Sequence, residues 1–90
     1  MCVVLFMVIE RFKDGKPQPV YHRAKSRGRL MPEGLRYVDS WVDASFARCF
    51  QVMQCDDLAL LMGWIAEWSD LVDFEVVPVV PSAQAAALMG

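Results

Sequence analysis

Two stretches of this chain, Cys2-Val-Val-Leu-Phe-Met-Val-Ile9 and Leu71-Val-Asp-Phe-Glu-Val-Val-Pro-Val-Val80, read as strands that do not alternate cleanly between an apolar and a polar side. A strand that is apolar on both sides belongs to a sheet covered on both faces. In 90 residues only two other segments have substantial helical patterning, and two helices can cover one face of a small sheet. The sequence therefore predicts a second copy of the chain on the other face, a homodimer joined through the open face of the sheet. A domain of this size buries only about 60–65% of its unfolded surface by itself, which makes association a natural way to enlarge the core. A hydrophobic content of 56% agrees with that need.

The first apolar run ends at Glu10 and Arg11. It is far shorter than the roughly 20 residues a bilayer requires, and it has neither a basic leader nor a small-residue cleavage site. Cys2 follows Met1 directly, without the apolar segment that precedes a lipidated cysteine. The expectation is a cytoplasmic domain with no membrane partner. Three cysteines without CxxC spacing argue against a disulfide framework. Cys49 and Cys55 would stand about 20 Å apart along one strand. With His22 the only histidine, no metal is expected.

Net charge is −2, but unevenly spread. Residues 11–36 hold eight of the nine basic groups and carry net +6, whereas residues 37–90 carry −7. Two readings fit this asymmetry: charge complementarity within and between subunits, or a lobe that binds anions.

The strand over residues 3–12 leads through a polar Gly/Pro linker into a helix from Pro19 to Leu30, stopped at Met31-Pro-Glu-Gly34. A strand over Leu35–Asp43 and another over Arg48–Cys55 form a hairpin. A second helix, capped by Asp56 or Asp57, runs to Asp70 with Leu58, Leu61, Ile65 and Trp68 in its stripe. The last strand spans Val72–Val80, and residues 82–90 form a short helical tail on what is otherwise one domain, 1–90. The order β-α-β-β-α-β is the ferredoxin-like, α+β arrangement, with sheet order 4-1-3-2 and two helices on one face. It centres the apolar first strand and leaves Pro78 on an edge, where a missing N–H is tolerated.

Four segments, Leu5-Phe-Met-Val-Ile-Glu-Arg-Phe12, residues 28–42 from Gly28 to Val42, Arg48-Cys-Phe-Gln-Val-Met-Gln-Cys-Asp-Asp57 and residues 68–80 from Trp68 to Val80, resemble the short bacterial proteins grouped as domain of unknown function 3303. These in turn are similar in layout to the dimeric α/β-barrel superfamily, in which two ferredoxin-like protomers pack sheet to sheet with helices outside. The resemblance implies the dimer and no single activity, since that superfamily includes monooxygenases, isomerases, haem-degrading enzymes and stress proteins. The haem-degrading branch needs an axial histidine on its late helix, and positions 82–89 contain none. No cofactor is expected.

For chemistry, His22 has no partner in the sequence and reads as an exposed polar side chain, and none of the serines sits in a nucleophile elbow. Setting Val38 and Val42 on one face with Phe50 and Val52 brings Tyr37, Asp39, Trp41 and Gln51 together on the other. Aromatics beside a carboxylate and an amide suit a small organic ligand, and suit a dimer interface somewhat better; the two can coexist. Asp39, beside Trp41, is the candidate base. The first helix has a thin apolar stripe of Val20, Tyr21 and Ala24. It either leaves a cleft rimmed by Tyr21, Arg27 and Arg36, fit for an anionic or aromatic acid, or lets Met31 and Met53 collapse into the space. Trp64 and Trp68 read as core. A nucleic-acid role through the basic helix is disfavoured, because Arg48-Cys-Phe-Gln-Val-Met-Gln-Cys55 lacks the stacking aromatics of RNA-binding sheets.

Overall fold

A computed structural model describes residues 3–90, leaving Cys2 outside the described residues. The fold is α+β. Strand β1 spans Val4–Phe12, helix α1 Gln18–Arg27, β2 Arg36–Val42, β3 Arg48–Cys55, α2 Leu58–Trp68, β4 Val72–Val79 and helix α3 Ser82–Leu88, with a short 3-10 turn at Lys13–Gly15. The four strands form one antiparallel sheet in the order β2-β3-β1-β4, which is 4-1-3-2 read from the other edge. Among the described residues no helix is long and apolar enough to cross a membrane.

Strand parity decides what each face holds. Phe6, Val8, Glu10 and Phe12 of β1 lie beside Cys49, Gln51, Met53 and Cys55 of β3, and all eight are buried. Leu61, Trp64 and Trp68 of α2 and Val20 and Ala24 of α1 pack on this face. The opposite side of the sheet carries Leu5, Met7 and Ile9 of β1, Phe50 and Val52 of β3 and Val77 and Val79 of β4. These residues belong to neither buried cluster and stay half-buried or exposed.

The two helices differ in how their ends are made. Asp57 caps α2 by accepting the Ala59 N–H at 3.0 Å, satisfying one of the free donors of the first turn. Leu58, expected in the apolar stripe, faces solvent, because the buried ridge is Leu61, Trp64 and Trp68. Helix α1 ends at Arg27 rather than Leu30. Gly28 closes it with φ 71°, donating its N–H to Ala24 O at 2.8 Å, and the chain turns left-handed again at Leu30. Residues 28–30 are thus a loop, and Arg29 leaves the helix surface on which the sequence had placed it.

The hairpin register also differs from the expected one. Tyr37 pairs with Met53 and Asp39 with Val52, so Val38 is a bulge. An inserted residue inverts the parity of everything beyond it. Tyr37 before the bulge and Ser40 and Val42 after it therefore share the helix-covered face with Gln51 and Cys49, while Asp39 and Trp41 turn to the open face with Val52 and Phe50.

Candidate functional site

The buried residues of the covered face fall into two clusters. One is built on Phe6, Val8, Leu35, Met53, Leu61, Trp64 and Trp68, the other on Phe12, Cys49 and Val72. The residue of β1 that separates them is Glu10, only 7% exposed. Across the sheet its neighbours are Cys49 on β3 and Phe74 on β4.

Above Glu10 lies a cleft of about 440 Å³. Its floor is the sheet, with Glu10 and Phe12 of β1, Cys49 and Gln51 of β3, and Ser40 and Val42 of β2. Val20, Tyr21 and Ala24 of α1 form one wall, Trp64 and Trp68 of α2 another, and Gly28 and Arg29 the rim. The cleft lies where α1 buries no residue completely, its contacts with the sheet being limited to partly buried side chains such as Val20 and Ala24. Met31 and Met53 do not collapse into it. They pack in the larger cluster with Leu35 and Leu61.

The loop at the rim is held by an unusual pair of bonds. The indole N–H groups of Trp64 and Trp68 both donate to the carbonyl oxygen of Arg29, each at 3.0 Å. A carbonyl has two lone pairs, and here two buried indoles occupy them. The Arg29 guanidinium then lies over the Tyr37 ring, 3.8 Å from its centroid, in cation–π geometry. The Tyr37 hydroxyl is hydrogen-bonded to Ser40 Oγ at 2.6 Å. Helix α1 is tied down by Arg23, which donates to both Asp70 carboxylate oxygens at 2.8 and 2.6 Å and to Glu67 O at 2.9 Å.

Glu10 Oε2 is buried without a hydrogen-bond partner. Loss of water around the carboxyl pushes its pKa up to about 7, and the positive charge of Arg29 only partly opposes that rise. Beside it, burial first and the Glu10 charge second push the Cys49 thiol up to about 11, so this cysteine is neutral and unreactive near pH 7. Gln51 donates one amide N–H to the Met53 thioether at 2.9 Å, a weak acceptor.

The residues expected to form one site are divided. Tyr37 and Gln51 lie on the covered face, and only Gln51 lines the cleft; Asp39 and Trp41 are exposed on the open face. Asp39 instead accepts the backbone N–H of Ser40 at 2.8 Å. Tyr21 does line the cleft, half-exposed, whereas Arg27 stays on the solvent side of α1 and Arg36 precedes the bulge on the open-face side of β2. The cation at the rim is Arg29. His22 is exposed on α1. Among the described residues no three of His, Cys, Asp and Glu come together as a metal-binding group.

Glu10 was missed as a site residue, although the sequence carries its signal. Once β1 runs to Phe12, a lone acid between Val8 and Phe12 has the parity of the buried face of a central strand. Such a carboxyl must find a partner or stay protonated.

The chain belongs to the family described as Domain of unknown function (DUF3303), whose profile matches residues 4–90. No curated protein and no solved structure matches it.

Proposed function

We propose that this protein binds a small, flat, largely apolar molecule in the cleft beneath α1, with a hydrogen-bonding group of the ligand placed against Glu10. The observation that carries this is the buried carboxyl of Glu10, one oxygen of which has no partner, in the floor of a cavity walled by Tyr21, Trp64, Trp68 and aliphatic side chains. An unsatisfied buried polar atom costs about 1–3 kcal/mol, and a ligand that answers it regains that free energy. The volume lies within the roughly 300–1,000 Å³ range of small-molecule sites, and a few polar groups among apolar walls are their usual composition. A carboxyl that ionises near neutrality can also give or take a proton, so the same site suits acid–base chemistry on the ligand.

The working unit is a homodimer of ferredoxin-like protomers. Across the open face, Trp41, Phe50 and Ile9 form one lateral row that ends on β4 at Glu75, and Val52, Met7 and Val77 the next, which ends on β2 at Asp39, a continuous apolar strip that a second copy would cover. Light scattering tests this: a single species near the chain mass of 10.2 kDa would overturn the dimer. In the Val79→Lys protein the dimer is expected to give way to monomer or aggregate.

The ligand is tested by thermal shift with a panel of aromatic acids, amides, phenols and quinones. A ligand at about 100 times its Kd adds about 2.7 kcal/mol of stability. Ala24→Phe fills the cleft from α1 and should abolish any shift. A panel that leaves the wild type unmoved, or a shift that survives Ala24→Phe, would overturn the cleft as a binding site.

A further inference from the structure

We propose, resting on the small-molecule role above, that the cleft is built for an aromatic carboxylate taken up together with one proton, Glu10 serving as the neutral acid that donates to the ligand and Arg29 as the cation that pairs with it. The choice of an anion follows from the charges that face the site. Among the residues that line the cleft, β1 contributes only Glu10 as a titratable group, β3 only Cys49, whose thiol is neutral, and α1 only Tyr21. The linings from β2 and α2 contribute no ionisable group, and β4 opposes Glu10 with Phe74. The rim contributes Arg29.

A cationic ligand would answer Glu10 but bring its charge toward the Arg29 guanidinium at the rim. A neutral donor would answer Glu10 and leave Arg29 unanswered. A carboxylate answers both, accepting an O–H bond from the acid and N–H bonds from the guanidinium, each charge-assisted. Arg29 is prepared for this. Its backbone is pinned by the two indoles and its side chain is laid on Tyr37, so little motion remains to be lost on binding. The aromatic walls of Tyr21, Trp64 and Trp68 suit a flat ring.

Two carboxyl groups at close range hold one proton between them. With Glu10 ionising near pH 7, the complex at higher pH forms only by drawing a proton from solvent, and no bond other than the carboxyl O–H is made or broken.

The probe pair is 2-naphthoate and 2-naphthamide, alike in size and differing in charge, titrated calorimetrically in buffers of different ionisation enthalpy. For naphthoate above about pH 7, close to one proton should be taken up per site and affinity should fall roughly tenfold per pH unit. Glu10→Gln keeps a donor but cannot ionise, so it should bind naphthoate with no proton uptake and a flat pH profile. Arg29→Met, at the exposed rim, should weaken naphthoate at least tenfold and leave naphthamide unchanged. Equal binding of the two probes without proton uptake overturns the preference for an anion and leaves the cleft a site for neutral aromatics. Absence of binding by both overturns the anion site, and the thermal-shift panel then decides separately whether the cleft binds small molecules at all.

Discussion

The two helices that share one face of the sheet differ in what they bury. Helix α2 sends Leu61, Trp64 and Trp68 into the core, whereas α1 is held at its rim by Arg23 and Asp70 and sends nothing fully inside. Three side chains are buried beneath α2, and beneath α1 there is a cleft with a buried carboxyl in it. The difference shows how a small domain keeps a cavity without a large fold: one helix supplies the stability, the other only a lid, and the tryptophans of the first fix the loop that leaves the second. Glu10 lies between the two buried clusters at that point.

Substitutions on either helix test this contrast. The largest effect is expected for Trp68→Ala, which removes core volume from the α2 side, one of the two indole bonds to Arg29 and the ring beside Arg23. Urea denaturation should show a loss of about 3–5 kcal/mol. A loss below about 1 kcal/mol would mean that α2 does not carry the core.

Next is Glu10→Gln, whose effect depends on pH. The carboxyl has its pKa raised from 4.5 to about 7 on folding, so the folded state binds the proton more tightly. The favourable contribution is fully present below about pH 4.5 and is lost as pH rises through 7, a difference of roughly 3 kcal/mol. Wild type should therefore lose stability between about pH 5 and 8 on account of this group. The glutamine protein should lack that component and be the more stable of the two at about pH 8, and parallel pH profiles for the two proteins would show that Glu10 is not held protonated.

Filling the cleft comes third. Ala24→Phe should raise stability by about 1 kcal/mol in thermal unfolding while removing ligand response, since cavity-filling changes commonly stabilise at the expense of function. Destabilisation instead would mean that α1 cannot accommodate added volume where the cleft lies.

The smallest effect belongs to Asp70→Asn, which loosens α1 alone. Hydrogen bonding from Arg23 holds the Asp70 carboxyl below its usual range, so the pair helps above that range and its help fades as acid protonates the carboxylate. The decrease in melting temperature should be slight and should disappear in molar salt, because both partners reach solvent.

Much of the scaffold was legible because it depends on local pattern. The limits of β3, an aspartate cap at Asp56 or Asp57, the broad stripe of α2 and the thin stripe of α1 all follow from residue order. The site was less so. Counting alternate residues placed Tyr37, Asp39, Trp41 and Gln51 together, and the Val38 bulge separated them. Such a bulge on an edge strand leaves no clear mark in a single sequence, because the pattern Tyr37-Val-Asp-Ser-Trp-Val42 is compatible with either parity.

Residue order alone told that β1 would be apolar on both faces over most of its length, and β4 only in its last half beyond Asp73 and Glu75, that one helix would pack well and the other poorly, and that positive charge would gather around α1. Those properties are set by neighbours along the chain. Packing between distant segments is what buries Glu10 without a partner for one oxygen, stands Arg29 rather than Arg27 at the rim, and brings the indoles of Trp64 and Trp68 onto one carbonyl. Each depends on where Gly28 ends a helix and on which face a strand presents after a bulge, and contacts between distant segments select among the local choices.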